Sequence, residues 1–333
     1  MLHRKAPLRS LSRRSAVAAM CAAALALAVP ALADTPYPSK PIKLVVGYAP
    51  GGSVDMAARV VADVLAAKLG ASVVVDNQAG AAGAVAAQRV VNSPADGYTL
   101  LAGSSNEMAA TALVNPAQKY DPQKDLTPIG LIATAPVLLA ASPKTQVKTL
   151  AEFIDTVKRN PGKHSYGSSG VGSTLHFAGE LIKQRAGLFM THIPYRGTAP
   201  LTTELVAGTL DFAIISPTAA APFIQSGRIV PLGISSAKRS PALPHVPALG
   251  EHPLLKGYDL TGWFALAAPR NLPPEIAQRL RVALQAGLQD PAVRRRLEDG
   301  GAVPATGNED LARVIREDAG KYATLVKFAN MRD

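Results

Sequence analysis

Short runs rich in Val, Ile and Leu alternate along this chain with longer stretches whose apolar residues recur every three to four positions. The sequence "IKLVVGY" (42–48) precedes a helical pattern over 53–69. "SVVVDN" (72–77) precedes another over 83–91, and "GYTLLAGS" (97–104) closes the series. Such alternation predicts a parallel sheet covered by helices. The rhythm resumes after residue 148, with strands at "HSYGSS", "MTHIPY", "TLDFAIIS" and "IVPLGISS" and helices near 173–186, 200–207 and 217–227. A last apolar run, "LTGWFALAAP", leads into helices near 273–288, 291–299 and 308–328. Two segments read as crossings between domains: 126–143, where Pro128 and Pro136 interrupt strand character, and 257–269. Two crossings imply a domain of residues 135–258 inserted into one built from 34–134 and 259–333, and such a connection permits hinge closure on a ligand between them.

The first 33 residues stand apart. Arg4, Lys5, Arg9, Arg13 and Arg14 precede an Ala/Leu/Val run from Ala16 to Val29, and Ala31-Leu32-Ala33 follows, the layout of a secretory signal with cleavage expected after Ala33. The Arg13-Arg14 pair also admits export by the twin-arginine route. The apolar run is about 14 residues, short of the roughly 20 that span a bilayer. Of the formal charge of +11, five units lie in this leader, leaving 30 Lys+Arg against 24 Asp+Glu. That modest surplus favours anionic ligands, and with 5% aromatic residues the chain offers little for nucleic acid. The single cysteine, Cys21, falls in the leader, so the remainder has no disulfide, thiolate metal site or cysteine nucleophile.

Candidate chemistry sits where strands run into helices. Val54, Ala57, Ala58, Val61, Leu65 and Leu69 share one face, which fixes the start of that helix at about Ser53. Its first N–H groups lack intrahelical partners, and Gly51 and Gly52 leave the backbone open to close approach. A second junction of the same design occurs in "HSYGSSGVGSTLHFAGELI", where Gly167-Ser168-Ser169-Gly170 leads to a helix starting at Gly172-Ser173-Thr174, with Leu175, Ala178, Leu181 and Ile182 as its buried stripe. The two junctions fall in different domains and can present donors to one cleft. Hydrogen bonds to charged groups contribute roughly 1.5–3 kcal/mol each, so four or five, less ordering costs, reach the roughly 8 kcal/mol of micromolar affinity. Nucleotide-binding fingerprints fail at both junctions, and a hydrolase elbow fails because Val171 stands where glycine is required.

Each candidate also has a plain structural reading. Ser53 and Ser173 serve as ligand donors, as helix caps, or as both. Asp55, two positions into its helix, reads first as a carboxylate steadying that turn. His176 either donates to a ligand or packs as a structural histidine; in the former role its imidazole makes affinity pH-dependent. Arg196 precedes a helix start at Ala199-Pro200 and reads as a contact to a distal carboxylate or as a rim residue. Ser104 and Ser105 end a strand, at the edge where open α/β sheets bind ligands. The other histidines after the leader lack metal-ligand spacing, and neither metal nor cofactor is expected.

At these residues the chain resembles a known family. "YPSKPIKLVVGYAPGGSVDMAARVVADVL", "VVVDNQAGAAGAVAAQRVVNSPADGYTLLAGSS", "YGSSGVGSTLHFAGELIK", "HIPYRGTAPLTTELVAGTLDF" and "SSAKRSPALPHVPAL" are similar to periplasmic solute receptors of tripartite tricarboxylate transporters, the Bug family, from about Tyr37 to the C-terminus. The resemblance implies an α/β, two-domain periplasmic binding protein of type II-like architecture, with two mixed, mainly parallel sheets, a hinge and a central ligand cleft. It further implies a monomeric periplasmic receptor that delivers a small carboxylate to membrane permease subunits. Family members hold a carboxylate with loops matching 48–55 and 168–174. The candidate ligand set is then Tyr48, Pro50, Gly51, Gly52, Ser53 and Asp55 with Ser104 and Ser105 on one side. On the other it is Ser168, Ser169, Gly172, Ser173, Thr174, His176, Arg196, Gly197, Ala199 and Ser216. Where many relatives carry Asp-Asn, this chain has Ile215-Ser216. That departure disfavours an ammonium-bearing ligand and favours a plain mono- or dicarboxylate. Two alternatives remain: a ligand sensor for a membrane signalling partner, and an exported α/β hydrolase using Ser169 or Ser173 with His176.

Overall fold

The computed structural model describes residues 37–115 and 118–331, so the secretory leader and Cys21 lie outside the described residues. In chain order the regular elements begin with β1 Ile42–Val46, α1 Ser53–Leu69, β2 Val73–Asn77, α2 Ala84–Val91 and β3 Thr99–Ser104. A π-helical turn over Asn106–Ala110 then leads into α3 Thr111–Val114, α4 Pro122–Asp125 and β4 Leu126–Ala135. Next come β5 Leu138–Ala141, α5 Leu150–Arg159, β6 Ser165–Ser168, α6 Thr174–Ala186, β7 Thr191–Pro194 and α7 Thr198–Ala207. These are followed by β8 Phe212–Ile215, α8 Pro217–Gln225, β9 Val230–Ile234 and β10 Gly262–Pro269. Finally, α9 Pro274–Leu288, α10 Pro291–Asp299, β11 Val303–Pro304 and α11 Leu311–Ala329 complete the chain.

These strands form two mixed sheets, ordered β11-β4-β10-β3-β1-β2 and β7-β6-β8-β5-β9. Pairing is parallel where helices make the crossovers, at β1–β2, β1–β3, β6–β7 and β6–β8. The strands flanking the two passages between sheets, β4, β5 and β10, pair antiparallel instead. The chain leaves the first sheet between Ala135 and Leu138 and rejoins it at Gly262, within the two segments read as crossings. Pro128 does not break β4, because it sits at a register shift opposite Ala267 where the ladder is already irregular.

Packing explains two departures from simple amphipathicity. Helix α1 buries Val60, Ala62 and Val64 beyond its expected stripe because α9 covers its outer side; a Cβ on Gly287 would lie 2.1 Å from the Val64 side chain. In α6 the expected stripe is incomplete: Leu175 and Leu181 are only half-buried, whereas His176, Phe177, Gly179 and Glu180 are buried. Helix α11 supplies the reason, since Phe177 meets Tyr322 with ring centroids 4.4 Å apart and α6 is thereby enclosed on two sides. Leu138, Ala213, Ile215 and Ile234 of the second sheet pack with Leu201 and Leu205 of α7 in one apolar cluster.

Candidate functional site

The first junction follows β1. Gly47 is required by close approach, because a Cβ there would stand 2.4 Å from the Gly83 Cα. Gly51 then takes φ +87°, and α1 starts at Ser53 with Gly52 at the cap position and no side-chain cap. Ser53 is thus the first helical residue rather than the cap, and Pro50, Gly51, Gly52 and Ser53 are all exposed. Asp55 is 2% exposed and accepts the Gly51 N–H at 2.9 Å, Asn77 Nδ2 at 2.8 Å and Arg59 Nε at 2.9 Å. Burial alone would raise its carboxyl, but bonds from Arg59, Gly51 and Asn77 outweigh that and hold it below the usual carboxylate range. Asp55 therefore shapes the turn, the structural reading of the two.

Behind this turn lies a buried acid that sequence reasoning missed. Tyr48 Oη stands 2.9 Å from Glu107 Oε2, 2.9 Å from Ser104 Oγ and 3.0 Å from the Ala82 carbonyl. Glu107, 0% exposed, also accepts the Ser104 N–H at 2.8 Å and meets Ser104 Oγ at 2.6 Å. Desolvation pushes its carboxyl up to about 7. Asn106 Nδ2 donates to Tyr48 Oη at 3.1 Å.

The second junction, after β6, turns through Gly170 (φ +135°) and Gly172 (φ +72°). Ser173 caps α6, accepting the His176 N–H at 3.2 Å while donating to the Gly170 carbonyl at 2.7 Å. His176 Nδ1 accepts the Gly172 N–H at 3.2 Å, so the imidazole is spent on its own turn and not on the Ser173 hydroxyl. The Ser173–His176 pair of the hydrolase alternative is not formed. Ser168, wholly buried, bonds His192 Nε2 at 2.7 Å, and the His192 ring stacks on His176 at 3.7 Å between centroids. Burial, the neighbouring imidazole and Lys183 hold His176 down at about 3; burial and Lys183 hold His192 at about 4. Ser169 is half-buried.

A clasp joins the two junctions. Asn106 Oδ1 accepts both the Thr174 N–H, at 3.1 Å, and the Thr174 hydroxyl, at 2.9 Å, and Ser105 Oγ meets the same hydroxyl at 3.1 Å. Asn106 thereby bonds both Tyr48, 58 residues before it, and the start of α6, 68 residues after it. Thr174 also lies against Gly262, where the chain re-enters the first sheet. A second contact brings Thr218 at the start of α8 against Gly301. The carboxyl edges of the parallel strands in both sheets consequently face each other.

Apart from α6, which Ser173 caps, the helix starts along these edges share a chemical trait. Gly52 before α1, Gly83 before α2, Gly197 before α7 and Ser216 before α8 provide no side-chain cap. By contrast Asp121, Thr149, Asp290 and Asp310 cap α4, α5, α10 and α11, which start elsewhere. Gly197 takes φ +101° and the helix begins at Thr198, one residue before the expected Ala199; both Ala199 and Arg196 are exposed. The Ser216 hydroxyl bonds the Thr218 hydroxyl at 2.7 Å. An open groove of about 660 Å³ beside the first junction is lined by Pro50, Gly51, Met56, Arg59, Arg296 and Asp299 among others.

Two α/β sheets whose uncapped helix starts face one another define a solute-binding protein of the periplasmic-receptor class. The chain belongs to the tripartite tricarboxylate transporter receptor family, TctC, matching that family's sequence model over residues 57–331. Protein BugT of Bordetella pertussis (strain Tohama I) is 34% identical over 323 residues, covering 96% of this chain and 98% of BugT. Among solved structures, Rpa4515 of R. palustris with adipate is similar at a TM-score of 0.79 and 34% identity, covering 89% of this chain and 99% of that one. MatC (Rpa3494) from Rhodopseudomonas palustris with bound malate gives 0.74 at 31% identity, over 87% and 100% of the two chains.

Proposed function

We propose that this protein is a periplasmic receptor that closes two lobes, residues 34–134 with 259–333 and residues 135–258, around a small organic carboxylate and delivers it to the membrane subunits of a tripartite tricarboxylate-type permease. The observation carrying this reading is the set of uncapped helix starts at Gly52, Gly197 and Ser216 on edges clasped through Asn106 and Thr174. In it the N–H groups at the starts of α1, α7 and α8, with the Ser53, Ser169 and Ser216 hydroxyls, receive the anion. Ser104, Ser105, Ser168, Thr174 and His176 hold those donors in place, since their own polar atoms are engaged within the protein. No acid stands at Ile215-Ser216 to neutralise an ammonium group, which favours a plain mono- or dicarboxylate such as the adipate or malate held by the similar receptors.

Calorimetry and thermal shift with adipate, malate and a wider panel of mono- and dicarboxylates test this on protein unfolded and refolded to strip any bound solute. Stabilisation by at least one acid, with no comparable response to its amide, is the expected result. Silence across the panel would overturn the reading.

A further inference from the structure

Glu107 has a site built around it. Gly83, at φ +92°, and Gly103 leave the space its carboxyl occupies: a Cβ on either would stand 2.6 Å from Glu107 atoms. Tyr48, from the turn after β1, and Tyr120, whose hydroxyl donates to the Glu107 carbonyl at 2.7 Å, are the titratable side chains facing it. From β3 it meets Ser104, and the turn before α2 brings the Gly83 backbone against its carboxyl. The largest influences on its charge are burial and hydrogen bonds from Ser104, its own backbone and Tyr48.

The same heavy atoms satisfy the carboxyl in both protonation states. Ionised, Glu107 accepts from the Ser104 N–H and from the Ser104 and Tyr48 hydroxyls. Protonated at Oε2, it donates to Ser104 Oγ, Ser104 donates to Tyr48 Oη and Tyr48 donates to the Ala82 carbonyl, with every distance between 2.6 and 3.0 Å. Only two hydroxyl rotations separate the states, and Asn106 Nδ2 donates to Tyr48 Oη in either. The charge at this point therefore changes without rebuilding the turn.

We propose that Glu107 is a proton-binding site coupled to anion capture, taking up a proton when a carboxylate settles at the facing helix starts and releasing it when the carboxylate leaves. This inference rests on the receptor reading above. Tyr48, which bonds Glu107, lies in the turn that leads from β1 into α1, so an anion captured at the start of α1 places a second negative charge on the far side of that turn. A nearby like charge raises a carboxyl's affinity for its proton, and by reciprocity the protonated carboxyl favours the anion. With burial already holding Glu107 at about 7, the exchange falls in the neutral range.

Adipate titrations in buffers of differing ionisation enthalpy, from pH 6.5 to 8.5, test the coupling. Ligand carboxyls, with pKa values of about 4, stay ionised throughout. Wild-type protein should take up close to one proton per adipate above pH ~7, with affinity falling by up to about tenfold per pH unit. Glu107→Gln, which reproduces the donor pattern of the protonated state, should bind with no proton uptake and a flat pH profile. Equal apparent enthalpies in all buffers for wild type, or undiminished uptake in E107Q, would overturn the proposal. Should E107Q not fold, infrared difference spectra of wild type decide: a protonated-carboxyl band gained on adipate addition supports the coupling, and no such band refutes it. Absence of binding heat with every acid of the panel removes the receptor reading and this inference together; heat without proton uptake removes this inference alone.

Discussion

Gly52 stands where five helices of this protein carry a capping oxygen, and giving it one sets stability against binding. Its φ of −78° and ψ of 168° are extended backbone open to any residue, and a Cβ there would meet only the Ala49 carbonyl at 3.6 Å, an ordinary contact. In Gly52→Ser the new hydroxyl can accept the N–H of Val54 or Asp55, worth a few tenths of a kcal/mol over glycine. Loss of glycine's freedom in the unfolded chain adds about 0.4–1 kcal/mol. The variant should therefore unfold later than wild type by roughly 0.5–1.5 kcal/mol in urea. Binding should move the other way. If the anion is held by these N–H groups, occupying one removes a charge-assisted bond of roughly 1.5–3 kcal/mol, a loss of about tenfold to a hundredfold in Kd. Gly52→Asp, which adds a like charge, should lose more. Parallel urea unfolding and adipate calorimetry provide the check. An affinity unchanged in both variants, with the stability gain present, would show that the start of α1 holds no ligand.

Four other perturbations follow from the geometry. In Gly172→Ala the added Cβ would lie 2.5 Å from Val114 Cγ2 at the end of α3, at φ +72°; unfolding should report about 1–2 kcal/mol of backbone strain, and a double-mutant cycle with Val114→Ala should recover binding but not that strain. Asp55→Ala removes the acceptor shared by the exposed Gly51 N–H and the half-buried Asn77 amide and should cost roughly 1–3 kcal/mol in urea unfolding; the stabilisation is present above the unfolded Asp pKa of about 4 and fades as pH falls below it. Asn106→Ala leaves the Thr174 N–H and hydroxyl without their acceptor, so adipate affinity should fall about tenfold or more while the helical circular dichroism signal stays native. Acidification tests the histidine stack: because His176 and His192 are held at about 3 and about 4, the unfolded chain takes protons first. Stability is then complete above pH ~6.5 and declines towards pH 4 by at most about 1.4 kcal/mol per unit per histidine. Glu107, raised to about 7, works in the opposite direction, its stabilisation being full below its unfolded value and lost as pH rises through 7. Acid loss should accordingly be steeper in E107Q and flatter in a His176→Gln, His192→Gln double variant; equal slopes in all three would contradict these assignments.

Much of the fold was legible because it is written in local periodicity. The alternation of strand and helix, the start of α1 at Ser53 and the cap at Ser173 each depend on residues within one turn of each other. Prolines and glycines also cluster where the chain changes sheets. Pro128 misled only in detail, since a bulge tolerates what a regular ladder excludes. The face of α6 was misread because a single stripe presumes one partner, and α11, more than 130 residues further on, supplies the second.

The site was legible only in its backbone. Glycine–serine junctions announce open N–H groups by composition, but which side chains organise them is decided by pairings across the chain: Asn106 with Thr174 over 68 residues, Tyr48 with Glu107 over 59. "SSNEMAA" carried one usable signal, a polar run at the carboxyl end of a buried strand in an otherwise apolar stretch, and it drew attention to Ser104 and Ser105 rather than to the two residues after them. The division has a physical cause. A ligand held by main-chain donors leaves little side-chain signature at the contact itself, so selection for function falls on the residues that keep those donors unoccupied and aimed. Missing caps at Gly52 and Gly197, against Asp121, Thr149, Asp290 and Asp310 elsewhere, are what such a site leaves in a sequence. A helix that forgoes a side-chain cap for glycine, at a cost of a few tenths of a kcal/mol, at the carboxyl edge of a parallel sheet is thus more informative about binding than any single polar residue nearby.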